Sequence, residues 1–531
     1  MRSIKRWAKV SAVLAAAALA LSACGGGSAD KKAGGSTGTK ASGELKVFAA
    51  YDTTNWNPSN TSSALAVGAN LQVVEGLYEF DFSKFKAHKA LAAEDEPTKV
   101  NDTTYEVKLR DGAKFSTGDA VSSKDVVSSY KRIVDGDKDS TGAVQPSSYA
   151  AFLTAISGIE AKDDSTVTIK LTHAIDNLKE RLALIKVVPS KATFDELTKM
   201  PVGSGPYKYD TITDTTQDLS VNEHYNGANP ATVSKIHYDN SRDATARLTA
   251  AVAGQTDVVE ALDPAGIEKV KAAGWEVKDA TAYGIAMMTF NTTKAPFKDK
   301  RVRQALLTAI DTQTMIKTAL NGAGKEPTSF LPDYNDQYKK AATQFSFDVA
   351  KAKKLLADAG VAAGTEISVL TTTDTWIAAM GPQIKQNFEA LGLKVNLNNV
   401  ASADLWNNNV AQGKFDVVVA PGDASVYGAD PGVLIKGWFF SELWMKDRFR
   451  LTESDPAGAK ALVELMDKAD KATGDEAKAK WGEVQDMIAD QAALYPLAFH
   501  TLYTAYNPAK VSNLTPIGVT GLQLIGTKVS K

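Results

Sequence analysis

Apolar and polar residues alternate with a period of two at Tyr105, Val107 and Leu109 against Glu106 and Lys108, and the run stops at the turn pair Asp111-Gly112. The alternation returns at Val167, Ile169 and Leu171 after Asp163-Asp164. Both stretches predict half-buried strands. Between them, residues 122–134 carry apolar positions at helical spacing, and Leu45-Lys46-Val47-Phe48 predicts a short opening strand. The first half of the chain thus reads as strands and turns with few helices.

The second half changes period. Val302, Leu306, Ala309 and Ile310 mark one helix face, and Val349, Ala352, Leu355 and Leu356 mark another, stopped by Gly360. A strand at Ile367-Ser368-Val369-Leu370 precedes a helix with Ile384, Phe388 and Leu391, closed by Gly392. Leu393, Val395 and Leu397 alternate as the next strand. A helix with Leu405, Trp406 and Val410 ends at Gly413, before a buried-type strand over 415–420. Strand-helix-strand-helix-strand predicts a doubly wound parallel sheet. Two long helices follow, about 456–471 and 476–492, then Leu494-Tyr495-Pro496-Leu497. Ligands of such sheets sit beyond the carboxyl ends of the strands, here 371–376, 398–402 and 421–430.

At the amino terminus Arg2, Lys5, Arg6 and Lys9 precede an Ala/Leu-rich run over 10–21. That run is too short to span a bilayer and predicts a cleavable export signal. Leu21-Ser22-Ala23-Cys24 resembles a bacterial lipobox, which implies removal of residues 1–23 and acylation of Cys24 as the new amino terminus. Several acyl chains anchor a protein stably where one does not. Residues 24–42, rich in Gly, Ser, Thr and Lys, predict a flexible tether reaching roughly 20–25 Å.

Cys24 is the only cysteine, so no disulfide framework or cysteine-based metal site is available. Cleavage would remove four of the 60 basic residues and no acidic ones, leaving 56 against 62, a net charge of −6. A mildly acidic, well-mixed surface argues against nucleic acid as a partner. The roughly 490 residues beyond the tether exceed what one core supports, so two or three domains are expected.

Catalytic patterns are missing. His88, His173, His224, His237 and His500 are scattered, without metal-ligand spacing, and no nucleophile elbow or phosphate-binding loop is present. Ser128-Ser129-Tyr130-Lys131 matches a Ser-x-x-Lys pattern without its companion motifs and reads as a solvated helix face. The chain is expected to be no enzyme, with no cofactor and no metal.

Several strings resemble the family 5 (peptide/nickel-type) solute-binding proteins of ABC importers. The longest is Tyr105-Glu106-Val107-Lys108-Leu109-Arg110-Asp111-Gly112-Ala113-Lys114-Phe115, continued by Ser123-Lys124-Asp125-Val126-Val127. Pro201-Val202-Gly203-Ser204-Gly205-Pro206-Tyr207 is similar to the family's Pro-Val-Gly-Thr-Gly-Pro-Tyr. Phe290-Asn291, the stretch from Arg301 to Asp311, and residues 348–360 follow in the family's order.

The resemblance implies an α/β, two-lobed periplasmic-binding-protein-like fold, with mixed sheets flanked by helices and a hinge between lobes. Lobe 1 is expected over 43–285 with an inserted subdomain, lobe 2 over 286–498, and a return to lobe 1 over 499–531. The crossing strands are expected near 286–291 and 494–499. Gly203 and Gly205 are expected to serve turn geometry.

The function implied is that of a monomeric binding lipoprotein, anchored on the extracytoplasmic face of the cell membrane. It would capture short peptides by hinge closure and deliver them to an ABC permease. An oligosaccharide or another polar solute is the alternative. Peptide-binding relatives hold the ligand amine with an acid three positions before an Asp/Glu-Pro pair. Here Tyr427 stands three before Asp430-Pro431, and the nearest upstream acid is Asp423. The expected ligand contacts are therefore Asp423 for an amine, Ser425 and Asn291 as polar neighbours, and the aromatics Tyr51, Trp56, Trp376, Tyr427 and Trp438.

Overall fold

The computed structural model describes residues 41–530 except Ser62, Thr281 and Ser441. The export signal, the lipobox with Cys24 and nearly all of the tether lie outside the described residues.

Two large sheets organise the chain. The first has seven strands in the order Tyr207–Ile212, Thr216–Val221, Lys235–Asn240, Glu44–Ala49, Val258–Val259, Leu502–Tyr506 and Glu276–Ala280. Glu44–Ala49 alternates as its sequence dictates, burying Leu45, Val47 and Ala49. It pairs in parallel with Lys235–Asn240 and Val258–Val259, so the carboxyl ends of these three strands share one edge.

The second sheet has six strands, ordered Gly324–Lys325, Leu494–His500, Ile285–Phe290, Val417–Gly422, Glu366–Thr372 and Lys394–Val400. Every residue of Ile285–Phe290 is buried, as befits a central strand covered on both faces. The parallel pattern predicted for 367–420 holds for Glu366–Thr372, Lys394–Val400 and Val417–Gly422. The sheet as a whole is mixed, because Ile285–Phe290 runs antiparallel to both of its neighbours. Strand periodicity marks which residues pair but not the direction in which a distant strand arrives.

A third, four-stranded antiparallel sheet joins Thr98–Asn101, Thr104–Lys108, Thr166–Leu171 and Ile156–Ala161, and the helix Ser123–Val134 packs on it. Asp125 closes a capping box with Ser122 at that helix's start, and its second carboxylate oxygen accepts the Ser190 amide at 2.8 Å. Gly203 and Gly205 have no positive φ; they allow a close backbone approach instead. A Cβ on Gly203 would stand 2.0 Å from the Val73 carbonyl oxygen, and the Gly205 amide donates to that oxygen at 2.9 Å. The turn role expected for this pair is thus replaced by close packing.

The chain passes between the two large sheets at 282–284 and at Thr501. The strands expected to cross, 286–291 and 494–499, run side by side inside the second sheet. The two passages are also adjacent, since Ile285 pairs with Phe499 and the His500 amide donates to the Gly284 carbonyl at 2.7 Å.

Candidate ligand cleft

The carboxyl ends of parallel strands from both sheets, the edge strand Lys394–Val400 excepted, face a common cavity of about 750 Å³. This is where open α/β sheets place ligands. Tyr51 and Asp52 follow Glu44–Ala49, Arg242 follows Lys235–Asn240, and Ala261 follows Val258–Val259. From the other side come Asp374 and Trp376, just beyond Glu366–Thr372, and Asp423, just beyond Val417–Gly422. His500 closes Leu494–His500 at the mouth of the passage.

Asp423 is half-buried. Burial pushes its carboxyl up to about 6, although hydrogen bonds from the Ser425 hydroxyl (2.6 Å) and amide (2.8 Å) favour the ionised form. The Trp376 indole lies flat on the His500 imidazole, with centroids 4.2 Å apart and planes 10° apart. Burial lowers the His500 pKa to about 4, so the ring is neutral near pH 7.

On the first-lobe wall Arg242 bonds Asp52 through Nε at 2.8 Å and a terminal nitrogen at 2.6 Å, which holds the Asp52 carboxyl below its ordinary range. Arg247 is buried and donates to the carbonyls of Ser241 (2.7 Å) and Ala261 (3.0 Å). Beneath it, buried Glu260 accepts the amides of Ala50 and Gly521 at 3.2 and 2.6 Å. Burial raises the Glu260 carboxyl and also raises the Tyr51 phenol.

Of the residues read from the sequence, Tyr51, Trp376 and Asp423 line this cavity. Ser425 is fully buried behind it and orients Asp423. Tyr427 leaves the cleft and packs on Tyr149 and Phe152, with centroids 5.0 and 4.9 Å away. Trp438 is buried behind Gly422, edge-on to Trp444 at 4.5 Å. Trp56 is buried against Tyr209, while its neighbour Asn55 reaches the cavity.

Asn291 sits at the far end of its strand and donates to the carbonyls of Gly413 and Phe415, both at 3.3 Å. These five side chains are placed by packing and backbone bonding that residue type alone does not reveal. The expected strand end 398–402 is also absent from the cavity wall, because Lys394–Val400 is the sheet's edge strand.

Arg242, Arg247, Asp52 and His500 were not foreseen. Asp374 lies within the flagged 371–376 segment, so its position was signalled although its identity was not singled out.

Two sheets joined by two adjacent passages, with a cavity between their facing edges, define a two-lobed binding protein. The chain belongs to the bacterial extracellular solute-binding proteins, family 5, whose model matches residues 86–442. It is 28% identical over 400 residues to heme-binding protein A of Haemophilus influenzae, covering 70% of this chain and 71% of that one. It is 23% identical over 478 residues to di/tripeptide-binding protein 3 of Pseudomonas aeruginosa, covering 81% and 84% of the two. The periplasmic binding protein DppA of Helicobacter pylori, solved in complex with the peptide STSA, superposes with a TM-score of 0.79 at 21% identity. That likeness covers 92% of this chain and 99% of the other and shows a shared fold. No helix among the described residues is long and apolar enough to cross a membrane.

Proposed function

We propose that this protein is the substrate-binding lipoprotein of an ABC importer and captures short peptides in the cavity between its lobes. The observation that carries this reading is Asp423. Its carboxylate is held by Ser425 at the cavity edge and, among the described residues, pairs with no cation. A peptide amino group supplies that charge, and backbone groups of both lobes serve the peptide's amides. The relatives named for di/tripeptide binding and solved with STSA support the same ligand class. Of the five aromatics expected at the ligand, Tyr51 and Trp376 reach the cavity, which leaves few rings to stack on a sugar.

Capture is by hinge closure about 282–284 and Thr501, with no chemical conversion of the ligand. Cys24 carries the lipid anchor, on the strength of the lipobox resemblance; a Cys24→Ser protein is expected in the soluble fraction, and its retention on membranes would sink that assignment.

The direct test is thermal unfolding of the purified protein with a tryptic casein digest and, separately, mixed oligosaccharides. A ligand at about a hundred times its Kd stabilises by roughly 2.7 kcal/mol, a shift of a few degrees in a chain of this size. A shift with peptides alone, reduced in Asp423→Asn, is expected. A shift with sugars alone would overturn the peptide reading.

A further inference from the structure

The charges on the cavity wall are unequally committed. Arg242 is bound to Asp52. Arg247 spends both terminal nitrogens on carbonyls, and its Nε is buried without a hydrogen-bond partner. Asp263 caps a short helical turn by accepting the Ala265 amide at 2.9 Å, and neutral His500 lies under Trp376. Both arginines of this wall are thus engaged, Arg242 by a carboxylate and Arg247 by carbonyls.

The second-lobe wall is the opposite. Asp374 and Asp423 stand just beyond neighbouring parallel strands whose axes are roughly 4.8 Å apart. Asp374 precedes the short helix Thr375–Ala378 but does not cap it. Among the described residues its carboxylate accepts no hydrogen bond and forms no ion pair, although it feels the charge of Arg242 across the cavity. Closing the lobes over both acids takes two negative charges out of water together. A ligand with a single cation leaves one of them unpaired, which is costly, whereas a ligand with two relieves both. Trp376, two residues beyond Asp374 on the same wall, adds a ring of the kind that attracts cations.

We propose that the cavity selects short peptides bearing a basic side chain, with the peptide amine at Asp423 and the lysine or arginine side chain at Asp374. The inference rests on the peptide reading above and goes beyond it by assigning the selectivity to Asp374. The test is calorimetric titration of the purified protein with Ala-Lys-Ala and with the same peptide carrying norleucine, which keeps the chain length and removes the charge. The lysine peptide is expected to bind about 10- to 100-fold more tightly. Asp374→Asn is expected to erase that difference, while Asp374→Glu preserves it and shows that the loop tolerates substitution. Equal affinities in the unaltered protein, or a preference surviving in Asp374→Asn, would overturn the inference and leave the peptide reading intact. Binding of neither peptide would overturn the peptide reading itself.

Discussion

Asp423 concentrates the electrostatics of the cleft in one carboxyl. Burial, opposed by two bonds from Ser425, raises its pKa to about 6. A raised carboxyl contributes to folding stability fully below its unfolded pKa, and that contribution is lost as pH rises through about 6. A bound ammonium group opposes this change by favouring the ionised form. Affinity for a peptide amine should therefore fall about tenfold for each pH unit below the folded pKa. His500, with a pKa of about 4, stays neutral across that window, and the Tyr51 and Tyr334 phenols near Asp423 titrate far above it. Titrations at pH 7.5 and pH 5 are expected to differ by about tenfold in the unaltered protein and to converge in Asp423→Asn. An Asp423→Asn protein with the full pH dependence would move the titrating group elsewhere.

At the scale of elements, the loop after Val417–Gly422 does two jobs. It presents Asp423 to the cavity, and it carries Asp430 to Arg181 on the helix Leu178–Ala183, which follows the four-stranded sheet in the chain. The pair is bidentate, at 2.7 and 3.1 Å, and the Arg181 side chain is only 7% exposed. Asp430→Ala leaves that guanidinium buried and unpaired. The expected loss is about 2–3 kcal/mol, at or below the lower end for buried pairs because Asp430 is 22% exposed. Urea unfolding checks this, with Asp430→Asn expected to lose less by keeping an acceptor; a loss within about 0.5 kcal/mol would show the pair to be no more than a surface contact. Tyr427 belongs to the same tie, stacked on Phe152 with planes 28° apart. Its aromatic character was visible in the sequence, but its use as packing rather than as a ligand platform depends on a helical turn, Ser148–Phe152, more than 250 positions away.

For the whole molecule, the adjacency of the two passages sets the available motion. With Ile285 beside Phe499 and Gly284 bonded to His500, the lobes rotate about one paired segment rather than two separate tethers. Solution scattering is expected to show a smaller radius of gyration with a saturating basic peptide than without it. An unchanged radius with binding confirmed by calorimetry would mean that the ligand enters a cavity already closed.

The sequence by itself determined the elements and the edge where a ligand sits. Alternation at Tyr105–Leu109 and the strand-helix succession over 367–420 follow from local burial, which each residue's chemistry encodes. Of the flagged segments, 373–376 and 421–423 line the cavity and 398–402 does not, because a parallel strand's carboxyl end is defined by its own direction and ends but its place in the sheet is not. Tertiary structure alone decided which side chains reach the cavity. Asp423 and Trp376 face it, whereas Trp438, only fifteen residues beyond Asp423, is buried behind Gly422. It also decided that Arg242 is bound to Asp52 while Asp374 forms no ion pair. The physical reason is that commitment of a charge depends on partners brought close by folding, such as Asp52 and Arg242 across 190 positions of chain, and no local pattern records them.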